Sequence, residues 1–157
     1  MSNRREIVSI MTIPCKVLKC ALVLGFLVLS PFLFGCRGKA TPPNVNPALV
    51  EMREEILDGM RSYMKDGETP YTEEHVLKCG QVLDAHLVAL SSARNDAEAK
   101  ALVKDTVTRL NELNNDCDGE LIETGQREGI CTLLTKAGAQ HGFNGPDEDV
   151  PEEWREW

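Results

Sequence analysis

Apolar residues recur every three or four positions through residues 46–157, and this spacing constrains the fold more than any other feature of the sequence. It places the apolar side chains on one face of a helix, whereas a half-buried strand would need them at every second position. No segment sustains the strand pattern, and aromatic residues make up only 5% of the chain, which also disfavours a sheet. We therefore predict an all-α domain.

Four helical segments are predicted, and they begin at Asn46, at Thr72, near Asn95 and near Thr124. Their apolar stripes consist of Leu49, Met52, Ile56, Met60 and Tyr63 in the first segment, Val76, Cys79, Leu83, Leu87 and Leu90 in the second, Ala99, Val103, Val107, Leu110 and Leu113 in the third, and Ile130, Leu133, Leu134 and Ala137 in the fourth. Because the connections are short, we predict an antiparallel bundle of about four helices.

A charge-free apolar run at residues 21–35 follows a basic opening that contains two arginines and two lysines. The run has the length of the apolar region of a signal peptide and is short for a membrane-spanning helix. It ends in Leu33-Phe34-Gly35-Cys36, and this order resembles the lipobox of a bacterial lipoprotein signal. The resemblance implies cleavage before Cys36 and a diacylglyceryl thioether on its sulfur. An uncleaved membrane anchor helix and ordinary secretion are the alternatives.

A flexible tether is predicted between this signal and the helical domain. Pro42 and Pro43 favour an extended polyproline geometry, and the polar residues around them have nothing to bury. The sequence therefore divides into a signal peptide or membrane anchor (1–35), a lipidated Cys36 with a Pro-rich tether (36–45) and a helical domain (46–157). The helical domain has the length of one compact unit. The resemblance to a lipoprotein signal implies that this domain lies outside the cytoplasm, tethered to the membrane of the bacterial cell envelope.

The chain beyond residue 36 is strongly acidic, with 24 acidic and 13 basic residues and a net charge of −11. A domain with this charge is repelled by nucleic acid and by anionic lipid, so no nucleic-acid partner is expected. A partner selected by charge would be a basic protein of the cell envelope or a cation.

Three cysteines lie beyond the signal, at Cys79, Cys117 and Cys131. If a disulfide forms in the oxidising envelope, we prefer the pair Cys117–Cys131, because these residues flank the turn into the fourth helix. The alternative is that all three are buried thiols that act as small apolar residues.

Two weak metal candidates, His75 and Cys79, lie four residues apart on one helix face. His86 shares that face but lies roughly 10 Å further along the helix axis than Cys79, which is too far for the same ion. Because no further ligands follow at a workable spacing, we predict no metal site and no cofactor.

A dense group of polar residues, Glu123, Gln126, Arg127 and Glu128, surrounds the start of the fourth helix. One interpretation is an acid–base or ligand site built on Glu123, Arg127 and Glu128. The other is a capping and salt-bridge network in which Glu123 pairs with Arg127 four residues later. We favour the network, because no nucleophile, glycine-rich phosphate loop or Ser/His/Asp set accompanies these residues.

The acidic residues 147–157 contain both tryptophans of the chain, Trp154 and Trp157. A short helix started by Pro151 would place the two rings on one face. They either dock on the bundle and seal it, which we favour, or anchor a binding partner. The stretches LIETGQREGI (121–130) and EEWREW (152–157) together resemble a combination found in small, uncharacterised helical bacterial proteins, and this resemblance implies no catalytic residues.

These features favour a membrane-tethered, acidic helical module that binds or inhibits a protein, in the manner of an immunity protein, without recognisable catalytic machinery. The alternative is a small envelope enzyme or metal-binding protein that uses His75 and Cys79, or the cluster of Glu123, Arg127 and Glu128.

Overall fold

The computed structural model describes residues 45–157, which form four α-helices: α1 Pro47–Asp66, α2 Glu73–Leu90, α3 Asp96–Asn115 and α4 Thr124–Gln140. No strand occurs within residues 45–157, and the helices pack as a bundle, so the predicted all-α fold is confirmed. None of these four helices is long and apolar enough to cross a membrane. The predicted signal, the lipidation site at Cys36 and nearly all of the tether lie outside the described residues.

The helices begin where their capping residues predict. The side chain of Asn46 accepts a hydrogen bond from the backbone N–H of Ala48 at 2.9 Å, and Asn95 accepts one from Glu98 at the same distance. At the start of α2, Nδ1 of His75 accepts the backbone N–H of Thr72 at 3.1 Å, which is one half of a capping box. These contacts satisfy amide groups that the first turn of a helix leaves without partners.

α1 and α2 run antiparallel, as the side chains that join them show. Arg61 of α1 pairs with Glu73 at the start of α2, whereas Arg53, two turns earlier in α1, pairs with Asp84, three turns later in α2. The same inverse order joins α1 to α4, because Gly59 lies beside Gln126 and Ile56, earlier in α1, lies beside Gly129, later in α4. The bundle therefore has the topology that its short connections require.

The core contains every apolar residue predicted for α2, α3 and α4. The prediction for α1 is wrong at two positions: Tyr63 is 50% exposed, and the unpredicted Leu57 is 1% exposed. The buried stripe of α1 runs through Leu57 and Met60 to Met64, which packs against the core. Tyr63 lies on the edge of that stripe because each residue advances the helix by about 100°.

One side of the bundle is not closed by a helix. α1 packs against α2 and α4, and α2 packs against α3, whereas α3 and α4 share few direct contacts. The tail, which we define as residues 143–157, bonds to both helices on this side. The Asn111 side chain of α3 donates to the carbonyl oxygen of Trp154 at 2.8 Å, and Thr135 of α4 donates to that of Glu148 at 2.7 Å.

A glycine turns the chain from α4 into the tail. Gly142 has a φ of 77°, and the N–H of Phe143 donates to the carbonyl oxygen of Gly138 at 3.0 Å. This is the Schellman arrangement that ends many helices, and it needs a residue that tolerates positive φ. The side chain of Asn144 then donates to the carbonyl oxygen of Thr135 at 3.0 Å, so the tail returns along α4.

Candidate functional site

The structure gives the two weak metal candidates different surroundings. One ring nitrogen of His75 is used in the cap of α2, where it accepts the N–H of Thr72. Cys79 is 0% exposed, and burial raises the pKa of its thiol to about 12, against the opposing effect of the Arg53 charge. A cysteine buried in the core in this way is typical of an unreactive structural thiol. Within residues 45–157 no three His, Cys, Asp or Glu side chains are placed to hold a metal ion together.

The polar residues at the start of α4 are brought together only in part. Gln126 is buried between α4 and Gly59 of α1, whereas Glu123 and Glu128 are exposed. The carbonyl oxygen of Glu123 accepts the N–H of Arg127 at 2.8 Å, so Glu123 caps the helix through its backbone. Among the ion pairs of the described residues none joins the side chains of Glu123 and Arg127, so the expected pair is not formed.

The three cysteines are free thiols, and the preferred disulfide between Cys117 and Cys131 is not formed. Cys117 is buried in the turn that follows α3. Cys131 lies two turns into α4, and its sulfur accepts a hydrogen bond from Nη1 of Arg155 in the tail at 3.3 Å. Cys79 and Cys117 therefore act as small apolar residues, as the alternative interpretation expects. Burial raises the pKa of the Cys131 thiol, and the charge of Arg155 acts in the opposite direction.

Both tryptophans are partly buried, and both pack against the hydrophobic core. The backbone N–H groups of Trp154 and Arg155 each donate to the carbonyl oxygen of Pro151 at 3.1 Å, so the expected short helix is a single turn. Asn111 holds this turn from both sides, since it also accepts the N–H of Glu156 at 3.2 Å. α3 thus fixes the backbone that carries the Trp154 ring, and the ring packs against the core.

A groove lies between the first half of α3, the end of α4 and the tail, and we call it the tail groove. Its volume is about 480 Å³, which is within the range of ligand-binding clefts. Its apolar lining residues are Ala99, Val103, Phe143, Val150 and Trp154. Five carboxylates also line it, from Asp96, Glu148, Asp149, Glu152 and Glu153, against one lining base, Lys100.

Some of these carboxylates already have partners. Asp149 pairs with Arg155 at 2.6 Å, and Glu153 pairs with Lys100 at 3.0 Å. Glu148 accepts the backbone N–H of Gly145 at 3.1 Å. Asp96 and Glu152 have no ion-pair partner in the part of the chain that the structure describes. The tail groove therefore has an excess of negative charge.

Lys100 places a cation on the aromatic wall of the tail groove. Its Nζ lies 5.4 Å from the centroid of the Trp154 ring, a distance at which an ammonium ion is attracted to the ring face. The same atom is the one that pairs with Glu153. Lys100, Trp154 and Glu153 thus bring together an ammonium group, an aromatic face and a carboxylate in an intramolecular contact.

Sequence reasoning identified Trp154 and the acidity of the tail but missed the groove that they form with α3. Lys100 and Asp96 carried no signal of their own, because nothing in their local sequence places them next to residues about fifty positions later. The only feature of the sequence that indicated a binding site here was the density of acidic residues around the two tryptophans.

Comparisons of the chain with protein-family models, with curated proteins and with solved structures gave no match.

Proposed function

We propose that the protein is a membrane-tethered, acidic helical module of the bacterial envelope that binds a basic segment of a protein partner. The observation that carries this proposal is the tail groove, where five carboxylates and a tryptophan face a single lining base. By covering a basic surface of its partner, such a module would act as an inhibitor, in the manner of an immunity protein.

The charge of the whole chain supports the same partner chemistry. Its acidic excess beyond residue 36 attracts basic proteins over a longer range than any single contact, and so raises their rate of association. The groove adds an apolar wall, and an interface needs such a wall because surface ion pairs by themselves contribute little affinity.

The membrane tether rests on the sequence around Cys36 and is tested separately. We expect cells that express the full chain to incorporate a palmitate analogue into it, and the Cys36→Ser variant to lose this label, because the sulfur would carry the lipid. Gel fluorescence of the labelled protein measures the difference. Equal labelling of the two proteins would contradict lipidation at this residue and favour an anchor helix or secretion.

The binding function is tested with the full chain in nonionic detergent and a fluorescein-labelled peptide of alternating lysine and serine residues. We expect the peptide to bind at low salt and to be released as salt rises, since screening weakens attraction between exposed charges. The double variant Asp96→Asn, Glu152→Gln should lower the affinity by about fivefold or more, because it removes the two groove carboxylates that have no ion-pair partner. Fluorescence anisotropy measures each affinity.

A matched control separates the groove from the overall charge. Glu51→Gln with Asp66→Asn removes two exposed carboxylates of α1, which changes the net charge equally but leaves the groove intact. We expect this control to lower the affinity by less than about twofold. An absence of peptide binding, or an equal loss in both double variants, would overturn the proposed function.

A further inference from the structure

We infer that the tail groove binds a lysine side chain of a basic protein segment at the ring of Trp154, in the position that Lys100 now takes. This inference rests on the proposed function and names the ligand chemistry of its site. In the free protein Lys100 occupies this position, and a lysine of the partner displaces it on binding.

The position on the ring already suits a primary ammonium group. Nζ of Lys100 is 5.4 Å from the centroid of the Trp154 ring and 3.0 Å from Oε2 of Glu153, so the cation interacts with both groups. Tryptophan has the most favourable aromatic face for a cation. A lysine of the partner would therefore bind between the carboxylate of Glu153 and the ring of Trp154, which are already placed for an ammonium group.

Lys100 is weakly held. The side chains of Lys100 and Glu153 are 64% and 62% exposed, and ion pairs between exposed side chains contribute little. Lys100 can thus leave the ring for solvent at a small cost. A partner that covers the site would exclude water from the ring and the carboxylate, and this strengthens the attraction of both for its lysine.

The Trp154 ring packs against the core, and the backbone that carries it is held before a partner binds. Asn111 donates to the carbonyl oxygen of Trp154 at 2.8 Å and accepts the N–H of Glu156 at 3.2 Å, which fixes the backbone on both sides of Arg155. A site whose aromatic group is held in advance loses less entropy on binding.

The shape and charge of the tail groove favour a protein segment over a free polyamine. Its volume of about 480 Å³ exceeds what one lysine side chain fills. Phe143 and Val150 offer an apolar surface next to the cation position, which suits the neighbouring residues of a peptide. The carboxylates of Asp96 and Glu152 remain available to pair with a second basic residue of the same segment.

The test compares two lysines of α3 with the lysine–serine peptide and the full chain in nonionic detergent. Lys100→Ala removes the side chain that occupies this position in the free protein, and we expect it to raise the affinity about three- to fivefold. Lys104→Ala removes the same charge one turn further along α3, from an exposed residue that does not line the groove. We expect the Lys104 variant to change the affinity by less than about twofold.

Equal effects of the two variants would overturn the inference, because they would show that only the net charge matters. A weaker affinity in Lys100→Ala would also overturn it, since Lys100 would then assist binding. Either result would leave the proposed function standing, provided that the groove carboxylates are still required. The proposed function fails separately, through the groove and α1 double variants.

A second measurement locates the peptide. The chain has two tryptophans, so in a Trp157→Phe background Trp154 is the only tryptophan reporter. We expect the lysine–serine peptide to change its fluorescence with the same midpoint that anisotropy gives. Binding that leaves this fluorescence unchanged would place the peptide elsewhere and overturn the inference.

Discussion

His86 is the most deeply buried titratable histidine of the described chain, at 2% exposure. Its Nδ1 lies 2.9 Å from the hydroxyl oxygen of Thr106, so α2 and α3 share a polar contact inside the core. Burial lowers the pKa of His86 to about 4, although the carbonyl of Leu102 acts in the opposite direction. The folded protein therefore favours the neutral imidazole.

This burial predicts a loss of stability in mild acid. The pKa of His86 is about 4 in the folded state and 6.5 in its ordinary state, so the unfolded chain binds more protons between these values. Stability is therefore fully present above pH 6.5 and falls as the pH drops towards 4. The His86 contribution to the loss between pH 7 and pH 4.5 should be about 2–3 kcal/mol.

Urea unfolding of the full chain and of His86→Gln at the two pH values measures this contribution. Surface carboxylates titrate in both proteins, so their effects cancel in the comparison. The difference in unfolding free energy between the two proteins should be smaller at pH 4.5 than at pH 7. Only the natural chain contains a buried imidazole, and protonation of this group favours the unfolded state. Parallel pH curves would show that His86 is solvated in the folded state.

At the scale of elements, α1 and α4 approach each other closely at glycines. A Cβ atom at Gly129 would lie 2.7 Å from Cγ1 of Ile56, whereas at Gly125, one turn earlier on α4, nothing lies within 4 Å. Ile56 is buried, and its branched side chain has few other rotamers in a helix. Gly129 therefore allows the close packing of α1 on α4, whereas Gly125 has no packing role.

Alanine at these positions should change stability in opposite directions. Gly129→Ala forces α1 and α4 apart, and we expect a net loss of about 1–2 kcal/mol after the gain in helix propensity. Gly125→Ala has only the propensity gain, which should be at most about 0.5 kcal/mol because Gly125 is the second residue of α4 and not an interior one. Chemical denaturation measures both. Equal stabilisation by the two substitutions would show that the α1–α4 contact is loose.

These elements were predictable from the sequence to different degrees. Helix starts and the cores of α2 to α4 follow from local signals, namely caps such as Asn46 and apolar residues at helical spacing. Leu57 was missed because α1 buries two adjacent residues against different helices: Ile56 lies beside Gly129 of α4, and Leu57 lies beside Gly80 of α2. The close approach at Gly129 depends on the register between α1 and α4, which the local sequence does not encode.

At the scale of the whole molecule, the bundle depends on its tail. The sides between α1 and α2, α2 and α3, and α1 and α4 are closed by direct helix packing, and the tail bonds across the side between α3 and α4. The groove is a consequence of this arrangement, because an irregular segment fills the space less completely than a helix. Sequence analysis could not anticipate the groove, since it arises from contacts between Asn111 and residues more than forty positions later.

Trp154 is therefore expected to support the fold as well as the groove. Replacing a fully buried tryptophan by alanine typically costs about 3–5 kcal/mol, and the partial exposure of Trp154 places its cost nearer to about 2 kcal/mol. That loss would lower the midpoint of thermal unfolding of Trp154→Ala by roughly 5–10 °C. Tyr63→Ala is the matched control, because Tyr63 is an aromatic residue that is 50% exposed, and we expect its midpoint to move by less than about 3 °C. Circular dichroism of the full chain in detergent follows both transitions. If Trp154→Ala unfolds at the same temperature as the natural chain, the tail does not close the bundle, and Trp154 is free to serve a partner alone.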